Sequence, residues 1–193
     1  MAKRVGVLAL QGDFEAHERA ISRAGAEPVQ VRTAAELAAV DGLVIPGGES
    51  TTMLKLINYM ELWESLRAFC AEKPVFGTCA GAILLATEVL NPSQASFGLI
   101  DLTVERNAYG RQVDSRVVDL EPVAEFGDRV GEGPVEAVFI RAPIIRRAGP
   151  GVKVLAEYAG DPVLVEQGRF LVATFHPELT KDSRVHQLFL SKI

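Results

Sequence analysis

Three residues have the types and surroundings to do covalent chemistry together: Cys79, His176 and Glu178. Cys79 is the centre of Gly77-Thr78-Cys79-Ala80-Gly81, a cysteine form of the G-x-S-x-G nucleophile elbow. In such an elbow a strand turns sharply into a helix. A Cβ on either flank would clash with backbone, which accounts for the two glycines. The nucleophile is forced into a strained position at the carboxyl end of its strand. The helix that follows turns free N–H groups and its positive dipole end toward the sulfur, favouring negative charge there. The same N–H groups can bind an oxyanion. A free cysteine is most often a small buried hydrophobe, so the elbow by itself is incomplete without a base.

The chain has three histidines. His17 falls inside a helical pattern and reads as a surface residue, and His186, in the last helix beside Gln187, reads as structural. His176 directly follows the β-like run Phe170-Leu171-Val172-Ala173-Thr174-Phe175 and precedes Pro177 and Glu178. Strand ends are where open α/β sheets place their chemistry. Pro177 biases His176 to extended backbone and ends the strand there. Glu178 can fold back to accept a hydrogen bond from one imidazole nitrogen, leaving the other to take the thiol proton. A lone His-x-Glu is commonly a loop histidine beside a surface glutamate. Next to a cysteine elbow it becomes a nucleophile, base and orienter in the order Cys79, His176, Glu178.

The elements that must position these groups follow from pattern. Val5-Gly6-Val7-Leu8-Ala9-Leu10 is a near-continuous apolar run, as in a parallel strand buried on both faces. Asp13 is placed to N-cap a helix over residues 14–24, with Gly25 as its C′ residue. Residues 29–31 read as a second strand. Thr33-Ala34-Ala35-Glu36 has the capping-box spacing of a short helix. A third strand, Leu43-Val44-Ile45, runs into Pro46-Gly47-Gly48, where backbone N–H groups can face a ligand. Helical spacing resumes from Met53 and again over residues 62–70, where Cys70 reads as core. The cysteine strand comes next, and a helix is predicted over residues 82–89. Strand and helix alternate throughout this half, which predicts a parallel sheet with right-handed crossovers. Beyond a loop at residues 91–97, strands are predicted over 102–104, 113–120, 135–140, 152–158, 163–166 and 170–174, without helices between them. Gln167-Gly168 reads as a hairpin turn. An amphipathic helix over 183–193 turns Val185, Leu188 and Phe189 inward. The expectation is a single domain over residues 1–193.

Composition narrows the function. Net charge is −5 with no long basic run, which argues against nucleic acid or an anionic membrane as a partner. No segment approaches the ~20 apolar residues of a membrane helix, and the amino terminus lacks the pattern of a signal peptide. Two cysteines fit a reduced, cytosolic compartment. No cysteine–histidine spacing indicates a metal.

The elbow, together with Phe175-His176-Pro177-Glu178, resembles the class I, triad-type glutamine amidotransferases. That resemblance implies attack of cysteine on the side-chain amide of L-glutamine, release of ammonia and hydrolysis of a γ-glutamyl thioester. Three longer stretches, residues 7–17, 46–52 and 105–112, are similar to the family of glutaminase subunits of pyridoxal 5′-phosphate synthases, and the similarity runs end to end. It implies an α/β fold of three layers, α/β/α, around a mixed, mainly parallel sheet with a flavodoxin-like core. It implies a partner, a (β/α)8 synthase subunit that receives the ammonia to make the vitamin B6 coenzyme. Pyridoxal phosphate is then a product of the complex, and this chain needs no cofactor. The resemblance further assigns Gly47, Gly48 and Ala80 to the oxyanion and Glu49, Arg106, Ile140 and Arg141 to glutamine. An arginine suits the α-carboxylate of the substrate, and Glu49 its α-ammonium. Gln11, polar after six apolar residues, is the candidate to couple partner docking to the oxyanion site. Two other readings are weighed: a free-standing thiol hydrolase of γ-glutamyl amides, and a non-enzymatic cysteine-based redox sensor or chaperone. The histidine with its orienter counts against the latter.

Overall fold

A computed structural model describes residues 2–108 and 115–193. Tyr109 to Gln112 of the third family stretch, and the start of the strand predicted at 113–120, lie outside the described residues. In chain order the elements are β1 (Arg4–Leu8), α1 (Phe14–Arg23), β2 (Glu27–Val31), α2 (Ala34–Ala38), β3 (Gly42–Ile45), α3 (Ser50–Tyr59), α4 (Trp63–Glu72), β4 (Val75–Thr78) and α5 (Ala80–Leu85). The second half comprises β5 (Ala86–Leu90), β6 (Ile100–Glu105), β7 (Ser115–Leu120), α6 (Ala124–Val130), β8 (Val135–Ile140), β9 (Ile144–Ala148), β10 (Lys153–Tyr158), β11 (Asp161–Gln167), β12 (Phe170–Ala173) and α7 (Arg184–Leu190).

A seven-stranded sheet runs in the order β10-β11-β12-β4-β3-β1-β2. The five strands from β12 to β2 are parallel, and β10 and β11 add an antiparallel edge. Read from the other side, β2-β1-β3-β4-β12 is the doubly wound order 2-1-3-4-5. The apolar runs take this form because each strand is covered on both faces. Along β1, Val5 and Val7 enter one core cluster and Leu8 the other; along β3, Val44 enters one and Leu43 and Ile45 the other. Met53, Ile57, Leu66 and Phe69 of α3 and α4 cover one face, and Ile21 of α1 with Leu188 and Phe189 of α7 cover the opposite one. A fully buried residue such as Phe76 contributes roughly 1.5–3 kcal/mol of transfer free energy.

Local signals set the helix ends. Asp13 accepts a hydrogen bond from the Ala16 N–H, and both bonds of the Thr33–Glu36 capping box are present. Gly25, just past the Ala24 cap, has φ +94°. Cys70 is buried, and burial pushes its thiol pKa up to about 12.

Four expectations change. The helix after Cys79 stops at Leu85, and residues 86–90 form β5. Ala86 is already extended (ψ 151°), and β-branched Thr87 and Val89 favour a strand paired with β6. Helix α6 interrupts what the sequence presents as strands only. It buries one large side chain, Phe126, so its apolar period is too thin to read. Strand β9 follows Pro143 directly and contains Arg146-Arg147, which hide it in the sequence; it is defined by antiparallel pairing with β6. The second half is therefore not one antiparallel region: β5-β6-β9 form a small mixed sheet and β7-β8 a separate ribbon. Among the described residues no helix is long and apolar enough to cross a membrane.

Candidate active site

Because β1, β3, β4 and β12 are parallel, the residues that follow them emerge on one edge of the sheet. These are Gln11, the Pro46-Gly47-Gly48 turn, Cys79 and His176. Cys79 occupies φ +47°, ψ −101°, a conformation that costs a non-glycine residue about 1–3 kcal/mol. Packing holds it there. A Cβ at Gly81 would lie 2.1 Å from the Ile45 carbonyl oxygen, and one at Gly77 would lie 2.6 Å from the Gly81 carbonyl carbon. The Cys79 N–H donates to the Ala173 carbonyl at 2.9 Å, tying the elbow to β12. Helix α5 begins at Ala80, and the first N–H groups of a helix have no partner within it.

The His176 N–H donates to the Val138 carbonyl at 2.8 Å, which fixes the residue against β8. Its Nδ1 lies 2.7 Å from Glu178 Oε1. Glu178 follows in a 3-10 turn, Pro177–Leu179, and is buried. A Cβ at Gly47 would lie 2.4 Å from His176 Cε1 and 3.3 Å from Cys79 Cβ. Turn, nucleophile and imidazole therefore converge on one point. Burial alone would lower the His176 pKa, but the Cys79 side chain and Glu178 raise it to about 10. Burial alone would raise that of Glu178, yet the neighbouring imidazoles His17 and His176 hold it below its ordinary value of 4.5. Burial keeps His17 itself neutral, so His176 is the imidazole that carries the compensating charge.

Cys79 and His176 open into a cleft of about 350 Å³, within the size range of small-molecule sites. Gln11, Gly48, Glu49, Arg106, Ile140 and Arg141 line it too. Gly47, Ala80 and Glu178 are not among the residues that line it. Arg106 is 9% exposed, with Nη2 3.0 Å from Thr51 Oγ1 and 3.4 Å from Glu49 Oε1. Arg141 is exposed and has φ +45°.

The structure adds detail at Glu49 and Gln11 and corrects one expectation, the surface reading of His17. Both carboxylate oxygens of Glu49 already have partners within the chain. Oε1 accepts from the Thr51 N–H and Arg106, and Oε2 from the Thr52 N–H and hydroxyl. Burial alone would raise its pKa, but the Thr52 hydroxyl and the Thr51 and Thr52 N–H groups bring it down to about 2. Gln11 acts as an acceptor, its Oε1 taking the Glu49 N–H at 2.8 Å, with its amide against the Gly48 Cα. His17 is fully buried, with Nε2 3.1 Å from Thr78 Oγ1 and 3.3 Å from Glu178 Oε2, and Nδ1 3.2 Å from Nε2 of buried His186. The signal was in the helix period: His17 lies four residues before Ile21 and three before Ala20, on the buried stripe of α1. Asn107, Ser50, Ile83 and Pro143 also line the cleft and carry no signal of their own in the sequence.

A cysteine strained at a strand-to-helix elbow, beside an imidazole backed by a buried carboxylate, is the arrangement of the thiol-nucleophile enzymes built on doubly wound sheets. Residues 7–193 match the SNO glutamine amidotransferase family, and the chain belongs to it. It is 64% identical over 191 residues to the pyridoxal 5′-phosphate synthase subunit PdxT of Solibacter usitatus, covering 99% of this chain and 100% of that one. It is 50% identical over 192 residues to the PdxT subunit of Kosmotoga olearia, covering 98% and 97%. A solved structure described as a glutamine amidotransferase superposes with a TM-score of 0.87 at 47% identity, over 97% of both chains. The solved structure of PurLQS from Thermotoga maritima shares the fold, with a TM-score of 0.68 at 18% identity over 99% of both chains.

Proposed function

We propose that this chain is the glutaminase subunit of a pyridoxal 5′-phosphate synthase, hydrolysing L-glutamine and handing the ammonia to a synthase partner. The Cys79 sulfur attacks the side-chain amide carbon of glutamine. The resulting oxyanion is held by N–H groups of the Gly47-Gly48 turn and of Ala80. His176, oriented by Glu178, holds the proton given up by the thiol and delivers it to the departing nitrogen, so that ammonia leaves and a γ-glutamyl thioester remains. Water then attacks the thioester, its proton passing through His176 back to the sulfur, and glutamate departs. Arg106 and Arg141 meet the substrate α-carboxylate. Ile140 packs beside it. Glu49 acts by fixing Arg106 and the start of α3. Gln11 holds the Gly48–Glu49 peptide and couples it to the partner, a (β/α)8 barrel. The chain works as one domain, 1–193, in the cytosol, and pyridoxal phosphate is a product of the complex.

The observation that supports the chemistry best is the His176 ring, 2.7 Å from Glu178 on one side and against Cys79 on the other. The product and partner are inferred from the names of near-full-length relatives. The test is glutamate release from glutamine by the purified chain, with and without the synthase subunit of the same organism. Release that rises on adding the synthase is expected. Release indifferent to it would favour a free-standing hydrolase, and no release in either case would overturn the reading.

A further inference from the structure

Behind Glu178 the site continues into a buried polar chain that the reaction described above does not use. His17 from α1, Thr78 from β4 and His186 from α7 are each at most 1% exposed. His17 Nε2 lies 3.3 Å from Glu178 Oε2 and 3.1 Å from Thr78 Oγ1. The contact with Oε2 lacks the alignment of a good hydrogen bond, so this carboxylate oxygen rests against His17 otherwise unpartnered. His17 Nδ1 lies 3.2 Å from His186 Nε2, and His186 Nδ1 has no hydrogen-bond partner among the described residues.

These contacts fix the protons. If His17 carried its proton on Nδ1, it would donate to His186 Nε2. His186 would then carry its own proton on Nδ1, where none of the described residues accepts it, and His17 Nε2, which could accept from the Thr78 hydroxyl, would also face a carboxylate oxygen. A buried donor without an acceptor and two opposed lone pairs are both costly. In the alternative, His186 Nε2–H donates to His17 Nδ1 and His17 Nε2–H faces Glu178 and Thr78. The unpartnered atom is then only a lone pair. Burial holds both rings below their ordinary pKa, His186 at about 3, so both are neutral and the choice between tautomers is real.

We propose that His17 is a positioning residue for the Cys79-His176-Glu178 constellation: as the Nε2–H tautomer, selected by His186, it donates to Thr78, the strand residue that precedes the nucleophile, and turns the same N–H edge toward the far oxygen of Glu178. It thereby links the two halves of the site, which arrive on β4 and after β12. This rests on the glutaminase reading for its kinetic consequences but not for the tautomers themselves.

Two measurements test it. With only three histidines in the chain, ¹⁵N-imidazole NMR resolves each ring and the variants assign them. His17 and His186 as neutral Nε2–H tautomers are expected. An Nδ1–H signal at His17 overturns the proposal whatever the activity. In the second, glutamine hydrolysis is followed with the synthase subunit present. His17→Gln carries an amide donor near the Nε2 position and should retain kcat within about fivefold, whereas His17→Leu should lose kcat on the order of 10- to 100-fold with KM little changed. Equal loss in the two variants, or a change confined to KM, overturns it. If His17→Leu does not fold, His17→Asn replaces it, since its shorter amide overlays Nδ1 and offers Glu178 no donor. Wild-type chain inactive under the same conditions would refute the glutaminase reading and leave the tautomer result standing.

Discussion

Gly47→Ala is a one-carbon perturbation whose consequence can be worked from the geometry. The added methyl would sit 2.4 Å from His176 Cε1 and 3.1 Å from Nδ1, where ordinary contact begins near 3.4 Å. The imidazole must therefore retreat by about 1 Å or the turn must move. The ring has little room, because Glu178 holds Nδ1 at 2.7 Å and the backbone is tied to Val138 at 2.8 Å. Overpacking of this kind costs about 1–3 kcal/mol of stability. The catalytic cost is larger: a 1 Å displacement of a reacting group costs on the order of 100-fold. The assay is kcat for glutamate release with saturating synthase, beside a thermal melt. Gly25→Ala is the control. Its methyl meets nothing within 4 Å but its φ is +94°, so it should lower stability and leave kcat alone. A folded Gly47→Ala enzyme with kcat within about threefold of wild type would refute the convergence of turn, nucleophile and base.

Other expectations follow from the same contacts. Cys79→Ala should abolish hydrolysis, a loss on the order of 10⁶ in kcat, and adding His176→Asn should cost little more because the members act as a unit; multiplied losses would mean they act independently. Removing the sulfur should also lower the His176 pKa from about 10, read by NMR titration. Gln11→Ala frees the Glu49 N–H, and partner-stimulated kcat should fall by up to about 100-fold; full stimulation with normal docking would remove Gln11 from the mechanism. The Glu49 pKa is depressed to about 2, so its contribution to stability is present above the unfolded value of 4.5 and is lost as pH falls toward 2. Its side chain is about half exposed, so screening keeps that contribution to about 1 kcal/mol or less. Glu49→Gln should therefore melt lower than wild type at pH 7 and alike near pH 2, by calorimetry; a gap independent of pH would refute the assignment.

The sequence by itself determined whatever is written in local period and turn chemistry. The apolar runs of β1, β3 and β4 declare strands buried on both faces, and the helix ends follow from Asp13, Thr33 with Glu36, and Gly25. The elbow glycines and the Pro177 stop place Cys79 and His176 at strand ends, and neighbouring strand ends of a parallel sheet meet by topology. Tertiary structure alone decided what depends on partners distant in the chain. Residues 86–90 are a strand because β6 lies beside them, and β9 exists only through the same neighbour. Arg106, 57 residues on, reaches Glu49 Oε1 and adds a distant partner to the local bonds from Thr51 and Thr52. His17 is fully buried although its sequence neighbours are charged, because α1 packs its apolar stripe against α7 and the β4 strand, and the imidazole finds Thr78, Glu178 and His186 there. A single polar residue on an apolar stripe does not reveal its partners. They come from 61, 161 and 169 positions away, a separation no local pattern encodes.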